Sequence, residues 1–365
     1  MHHFVAKAPW DEGPLLAVAR DYALHELERH GPIQAWVVDD TAYPKKGTHS
    51  VGVARQYCGV LGKQENCQVA VTWSLVSPTG SLPVSYRLYL PETWAHDRKR
   101  RREAEVPEEV AFARKWEIAL RALADLLGEE LPRAPVVADA GYGNITAFRE
   151  GVTARGLSYA VGISEDTSVW RAREGPLPPR RWRGHGRPPT RYRRTKHHQP
   201  LAVKLLAEGL PATAWRAVRW REGTRGTLAS RFAMLRVRVA HRDERSAAPR
   251  PPEWLLIEWP RNEPTPTKYW LSSVPENVSM DDLVRLAKIR WRIERDFQEL
   301  KDELGLDHYE GRGWRGFHHH GVLCIAAYAF LVAERARLSP PAPLAFLRAA
   351  RLPKSFRPRG APGAA

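Results

Sequence analysis

Arg290, Glu294 and Lys301 lie in the stretch IRWRIERDFQELKDELGLDHYEGR, residues 289–312. On a helix turning about 100° per residue, with Glu294 at zero, Arg290 falls at about −40° and Lys301 at about −20°. Leu286, Ile293, Phe297, Leu300 and Leu304 gather on an adjoining stripe, at about −60° to −120° on the same wheel. Such a helix buries one face and holds a carboxylate between two cations at its rim. A carboxylate so placed suits a metal or phosphate site, whereas a merely solvated face scatters its charges.

Two more acids resemble Glu294 in placement. Asp39 follows the apolar run WVV and Asp139 follows PVVA. Each is expected to end a buried strand, and strand ends are where α/β sheets form their sites. Taken singly, an Asp at a strand end is more often a turn or cap residue. Taken together, carboxylates from two strands and one helix would hold two divalent ions about 4 Å apart, one activating the attacking oxygen and one stabilising the leaving oxygen. Hard oxygen ligands select Mg2+, with Mn2+ as substitute, over Zn2+. Asp40 competes with Asp39 as the first acid. Strand neighbours face opposite ways, so only one of the two can serve.

The elements that must position these acids can be read from periodicity. Residues 14–29 and 108–127 have helical patterns, and 35–40 is a short strand ending in acids. Residues 51–60, 67–77 and 83–90 alternate apolar and polar types between turn signals, as antiparallel strands do. Residues 134–143 read as a buried strand ending in Asp139 and a glycine-rich turn, and a helix over 145–155 and a strand over 157–163 follow. This order is α/β. Residues 166–200 then break the pattern. From 171 to 196 there are ten basic residues against one acid, Glu174. Strand-like runs such as FAMLRVRVAHR, EWLLIEWP and KYWLSS fill the rest to 274. Ser279 and Asp282 make a capping box for the Glu294 helix, and a second apolar helix covers about 321–337. The expected units are a short helical N-terminal piece (1–33), a first core part (34–165), a basic β-rich insertion (166–274), a second core part with the Glu294 helix (275–338) and a disordered Pro/Arg tail (339–365).

The chain has 365 residues, with 57 Lys+Arg against 41 Asp+Glu and a formal net charge of +16. A charge of this size favours a polyanionic partner, because each phosphate neutralised releases counterions. Arginine bias inherited from base composition is the competing account. The expected partner is a nucleic acid rather than a membrane or a small molecule; the resemblance described next narrows it to double-stranded DNA. Cys58, Cys67 and Cys324 form no metal-finger spacing. With no signal peptide and no apolar run long enough to span a bilayer, a cytoplasmic setting is expected, and the resemblance described next implies association with the nucleoid.

The segments 39–71 (DDTAYPKKGTHSVGVARQYCGVLGKQENCQVAV), 137–144 (VADAGYGN) and 290–312 resemble insertion-sequence DNA transposases of the DDE type. The resemblance runs from about 35 to 335. It implies a ribonuclease-H-like mixed sheet flanked by helices, with a β-rich insertion before the last catalytic helix. It implies the triad Asp39, Asp139 and Glu294 as catalytic residues and metal ligands. Asp39 fits the family pattern Asp-x-(Thr/Ser). The family's Tyr-x2-Arg-x3-Glu-x6-Lys signature matches at Arg290, Glu294 and Lys301, with Ala287 in the tyrosine position. Arg290 and Lys301 would hold phosphates, and Lys45 and Lys46 in the PKKG turn would grip DNA or simply be solvated. The implied activity is Mg2+-dependent cleavage and strand transfer at transposon ends, by a homodimer on DNA. A nuclease that no longer transposes and a non-catalytic basic remnant are the alternatives. The insertion would offer an aromatic for base stacking, from Trp182, Trp215, Trp220 or Trp270. Relatives carry a longer helical region before the first Asp. Only 38 residues precede Asp39 here, so the resemblance implies that much of that region is missing. RKRRR (98–102) reads as a charged loop or phosphate contact. His318, His319 and His320 read as supports rather than a metal tract, since consecutive residues on a helix cannot all face one ion. His308, Tyr309 and Glu310 would shape the same region.

Overall fold

A computed structural model of the chain describes residues 2–223, 226–243 and 248–338. The tail at 339–365, expected to be disordered, lies outside the described residues. The architecture is mixed α/β, built on one twelve-stranded sheet flanked by helices.

The first half of the sheet comes from β1 (Ala35–Pro44), β2 (Ala54–Cys58), β3 (Lys63–Val76) and β4 (Ser81–Leu88). These pair antiparallel, with β3 between β1 and β2 and with β4 also on β3. β5 (Val136–Ala138) then joins β1 in parallel, and β6 (Tyr159–Ile163) joins β5 in parallel. From β6 outward the sheet continues antiparallel through β12 (Lys268–Ser272), β11 (Glu253–Trp259) and β10 (Gly226–Val239). It ends at β7 (Ser168–Arg171) and β8 (Leu201–Ala202), with β9 (Arg216–Gly223) on β10. The strands between 166 and 274 thus extend the core sheet through the β6–β12 pair, in which Val161 faces Leu271.

The N-terminal helices are α1 (His2–Ala6) and α2 (Glu12–Glu28). Two short ones, α3 (Glu92–Ala95) and α4 (Arg98–Glu103), precede α5 (Lys115–Leu127). After β5 come α6 (Ala140–Gly143) and α7 (Thr146–Ala154), and α8 (Val203–Glu208) follows β8. The last three are α9 (Met280–Lys288), α10 (Trp291–Asp302) and α11 (Trp314–Leu338). α11 packs along α2 and β4, and α5 packs on β3 and α7.

Several sequence expectations change. Asp39 does not end its strand, because β1 keeps pairing with β3 to Pro44, where Asp39 faces Thr72. The apolar run stops at Val38, but TAY goes on supplying β-branched and aromatic residues that suit a sheet. The helix expected from 108 begins at Lys115, where the Glu117 carboxylate accepts the Arg114 backbone N–H. RKRRR is not a loop but forms most of α4, capped by Asp97. The single helix expected from Ser279 through Lys301 is two. Around Arg290 the backbone bonds shorten to a three-residue spacing, Arg292 N–H to Ile289 O and Ile293 N–H to Arg290 O, a tightened turn. The two halves serve different partners: α9 packs on β9 and β6, and α10 on β4 and α11.

Candidate active site

The pleat of β1 decides which acid reaches the Glu294 helix. Successive side chains alternate faces. Ala35 and Val37 pack with Val137, Ile289 and Ile293, whereas Trp36 and Val38 belong to the large core on the other face. Asp39 continues the Ala35–Val37 face and Asp40 the other. On β5 the same rule applies, since Val137 shares the Ile289–Ile293 cluster while Val136 and Ala138 do not. Asp139 therefore emerges on the same face as Asp39. Val37 and Val137 are register partners, so both aspartates lie two residues beyond a matched pair. Ile289 and Ile293 dock the α9–α10 turn over that face, which brings Arg290 and Glu294 with them.

One guanidinium joins the three acids. Arg290 lies 3.1 Å from Asp39, 3.8 Å from Asp139 and 3.3 Å from Glu294. Burial pushes the Asp39 carboxyl up to about 7; Arg290 pulls it down and Asp139 adds to the rise. For Arg290, burial opposes the charge, but Asp39, Asp139 and Glu294 outweigh it and raise its pKa. Its Nε is buried with no hydrogen-bond partner among the described residues. Asp139 also caps α6, accepting from the N–H groups of Gly141 and Tyr142. The cap role weighed against it in the sequence and the proximity to Arg290 coexist.

Asp40 is held apart. Its carboxylate takes Lys115 Nζ at 2.8 Å and the Tyr142 hydroxyl at 2.5 Å. Neither partner was singled out in the sequence. Lys115 opens a helix that had been expected to start seven residues earlier, which hid it mid-helix. Tyr142 sits inside the glycine-rich turn after Asp139.

Lys301 does not join the acids. Eleven residues of helix separate it from Arg290, about 16 Å along the axis. Its ammonium bonds Ala42 O at 3.2 Å and stands over the Tyr43 ring, three residues beyond Asp39 on β1. Lys45 donates to Tyr309 O at 2.5 Å and is half-buried, while Lys46 is exposed. The three histidines point three ways. His318 bonds Trp314 O and receives the Leu88 N–H, His319 bonds Val5 O and Trp10 O, and His320 bonds Gly305 O and stacks on Tyr309. Ala287, in the tyrosine position of the signature, is buried against Trp270 and Leu256. Trp220 and Trp270 surround Lys288, Trp215 packs edge-on against Trp259, and Trp182 is 51% exposed with its Nε1 donating to Gly186 O.

The donor set fits a hard divalent cation. Three carboxylates surround one positive group, and the most buried of them is pushed toward neutrality in a way that an added cation would relieve. Among the described residues, no three His, Cys, Asp or Glu side chains converge closely enough to hold a metal ion as they stand. The acids here are spread around a guanidinium, which is wider than a metal ion. No described helix is long and apolar enough to cross a membrane.

Comparison with known proteins gives the family. Over 91 residues the chain is 35% identical to a probable transposase for insertion sequence element IS701 from Microchaete diplosiphon. That match covers 25% of this chain and 23% of the relative. A family model described as DDE superfamily endonuclease matches residues 1–227, a span that includes Asp39 and Asp139. The match extends over more than half of the 365 residues, and the chain belongs to the DDE superfamily endonuclease family.

Proposed function

We propose that the chain is an insertion-sequence transposase that cleaves and joins DNA strands at the ends of its element. The observation that carries this reading is the contact of one guanidinium, Arg290, with acids from β1, the end of β5 and α10. Asp39, Asp139 and Glu294 would hold two Mg2+ ions, or Mn2+ in their place. The chemistry such a pair supplies is activation of water or a 3′-hydroxyl and stabilisation of the leaving oxygen. Arg290 bridges the three carboxylates and pulls the buried Asp39 carboxyl down against the rise that burial imposes. Lys301, Lys45 and Lys46, along the β1 side, would meet phosphates flanking the cleaved one. The net charge of +16 suits duplex DNA as partner, bound as a homodimer. Residues 166–274 form the β-rich element inserted between the second Asp and the Glu.

Glu294 is the residue to test, because its side chain is 61% exposed and its substitution spares the core. Purified protein with Mg2+ should nick and join DNA carrying the element's own ends. Glu294→Gln should slow this by on the order of 10²- to 10³-fold, with unchanged circular dichroism. Equal activity in the variant overturns the assignment.

A further inference from the structure

From Asp139, one of the three acids, runs a cleft of about 920 Å³, whose walls also include Asp40, Tyr57, Arg114, Arg242 and Arg250. A second depression of about 470 Å³ continues it, sharing Asn144, Thr146, His241 and Arg242 and reaching Ser164. Together they form one groove, from Asp139 across the seam between the first-half strands and the 166–274 strands.

Charges of both signs line this groove, the carboxylates Asp139 and Asp166 among them. Lys115 is matched by Asp40 and Arg250 by Glu150. Arg114 and Arg242 are exposed and make no ion pair among the described residues. Arg242 has φ of 51°, in the left-handed region that non-glycine residues seldom adopt. Such strain tends to collect at functional sites. Tyr57 offers a ring that is 59% exposed on β2, at the edge of the sheet. Cations that track a backbone and an exposed ring that accepts any base are the features of a single-strand groove.

We infer that this groove seats unpaired nucleotides next to the cleaved phosphate, with Arg114 and Arg242 on the backbone and Tyr57 under a base. This rests on the transposase reading and names which part of the DNA the region beside Asp139 receives. A duplex end that frays here would bind as one strand in the groove.

The test measures binding, not cleavage, and is done in EDTA. Fluorescence anisotropy compares a blunt duplex with the same duplex carrying a short unpaired thymidine flank. The wild type should prefer the flanked probe. Arg114→Gln with Arg242→Gln should erase the preference and lower the log–log salt slope on that probe by about 0.7 per cation removed. Tyr57→Ala should weaken the flanked probe by at least about fivefold and leave the blunt one unchanged. Arg98→Gln, outside the groove, should keep the preference for the flanked probe, and loss of that preference there would overturn the groove. A wild type without preference, or a double variant that keeps it, overturns the groove while leaving the Glu294 assignment standing. Loss of the Glu294 assignment in the cleavage assay would leave the binding difference measurable.

Discussion

Arg290 contacts carboxylates that lie 255 residues apart in the chain at their extremes, Asp39 and Glu294. Its neighbours illustrate how a residue's type underdetermines its work. Asp39 and Asp40 are adjacent and chemically identical, yet one meets Arg290 and the other Lys115 and Tyr142. His318 shows the same dependence on surroundings. Its Nε2 receives the Leu88 N–H and its Nδ1 faces Trp314 O, an arrangement that suits the neutral tautomer protonated on Nδ1. Burial pushes its pKa down to about 4 from 6.5, and a proton on Nε2 would oppose the Leu88 donor. A folded-state pKa below the unfolded one means that the unfolded chain takes up the proton first. Stability should therefore fall as pH drops from about 6.5 toward about 4. His318→Gln should flatten that part of the stability–pH curve measured by urea unfolding. An unchanged slope would show that His318 does not titrate in this window.

At the scale of elements, the site depends on how strands end and helices begin. Asp139 leaves β5 and caps α6 at once, so the turn after it must be tight. Gly143 closes α6 against β6, and a Cβ added there would run into the Gly162 carbonyl oxygen and press on Val161. That neighbour is backbone and cannot rotate away. Gly143→Ala should destabilise the fold by about 1–3 kcal/mol or more, read as a lower urea midpoint with the m-value unchanged. A neutral result would show that α6 can shift without disturbing Asp139. The turn between α9 and α10 is the other critical joint, and hydrophobic periodicity alone could not find it. The apolar stripe passes smoothly from Leu286 to Ile293, while the two helices pack on different strands.

Across the molecule, one sheet carries both the acids and the 166–274 strands. Lys288, at the end of α9, fastens the two. Its ammonium pairs with Glu258 of β11 and lies over the rings of Trp220, Trp270 and Phe232 at 4.7, 5.2 and 5.8 Å. Glu258 is buried and Lys288 is mostly buried, at 5% and 14% exposure. Removing one partner strands the other charge, so Lys288→Met should cost about 3–5 kcal/mol. Lys288→Met with Glu258→Leu should recover most of that loss, because two apolar groups leave nothing unpaired. Urea unfolding of both variants checks this, and a double variant as unstable as the single one would refute it.

The α/β character, most strand positions and the three acids were legible in the chain itself, because alternation and apolar runs are local properties written in consecutive residues. Arg290, Glu294 and the acids after WVV and PVVA needed no coordinates to be singled out. Strand length past Asp39, the break at Arg290 and the departure of Lys301 toward Ala42 were not legible. Each depends on a partner distant in sequence: β3 prolongs β1, the 166–274 strands draw α9 one way and β4 draws α10 another. Residue types single out the acids and cations of the site. Which of them share a face follows from strand pairing, since the pleat register that puts Asp39 with Asp139, and Asp40 with Lys115, exists only once the strands have paired.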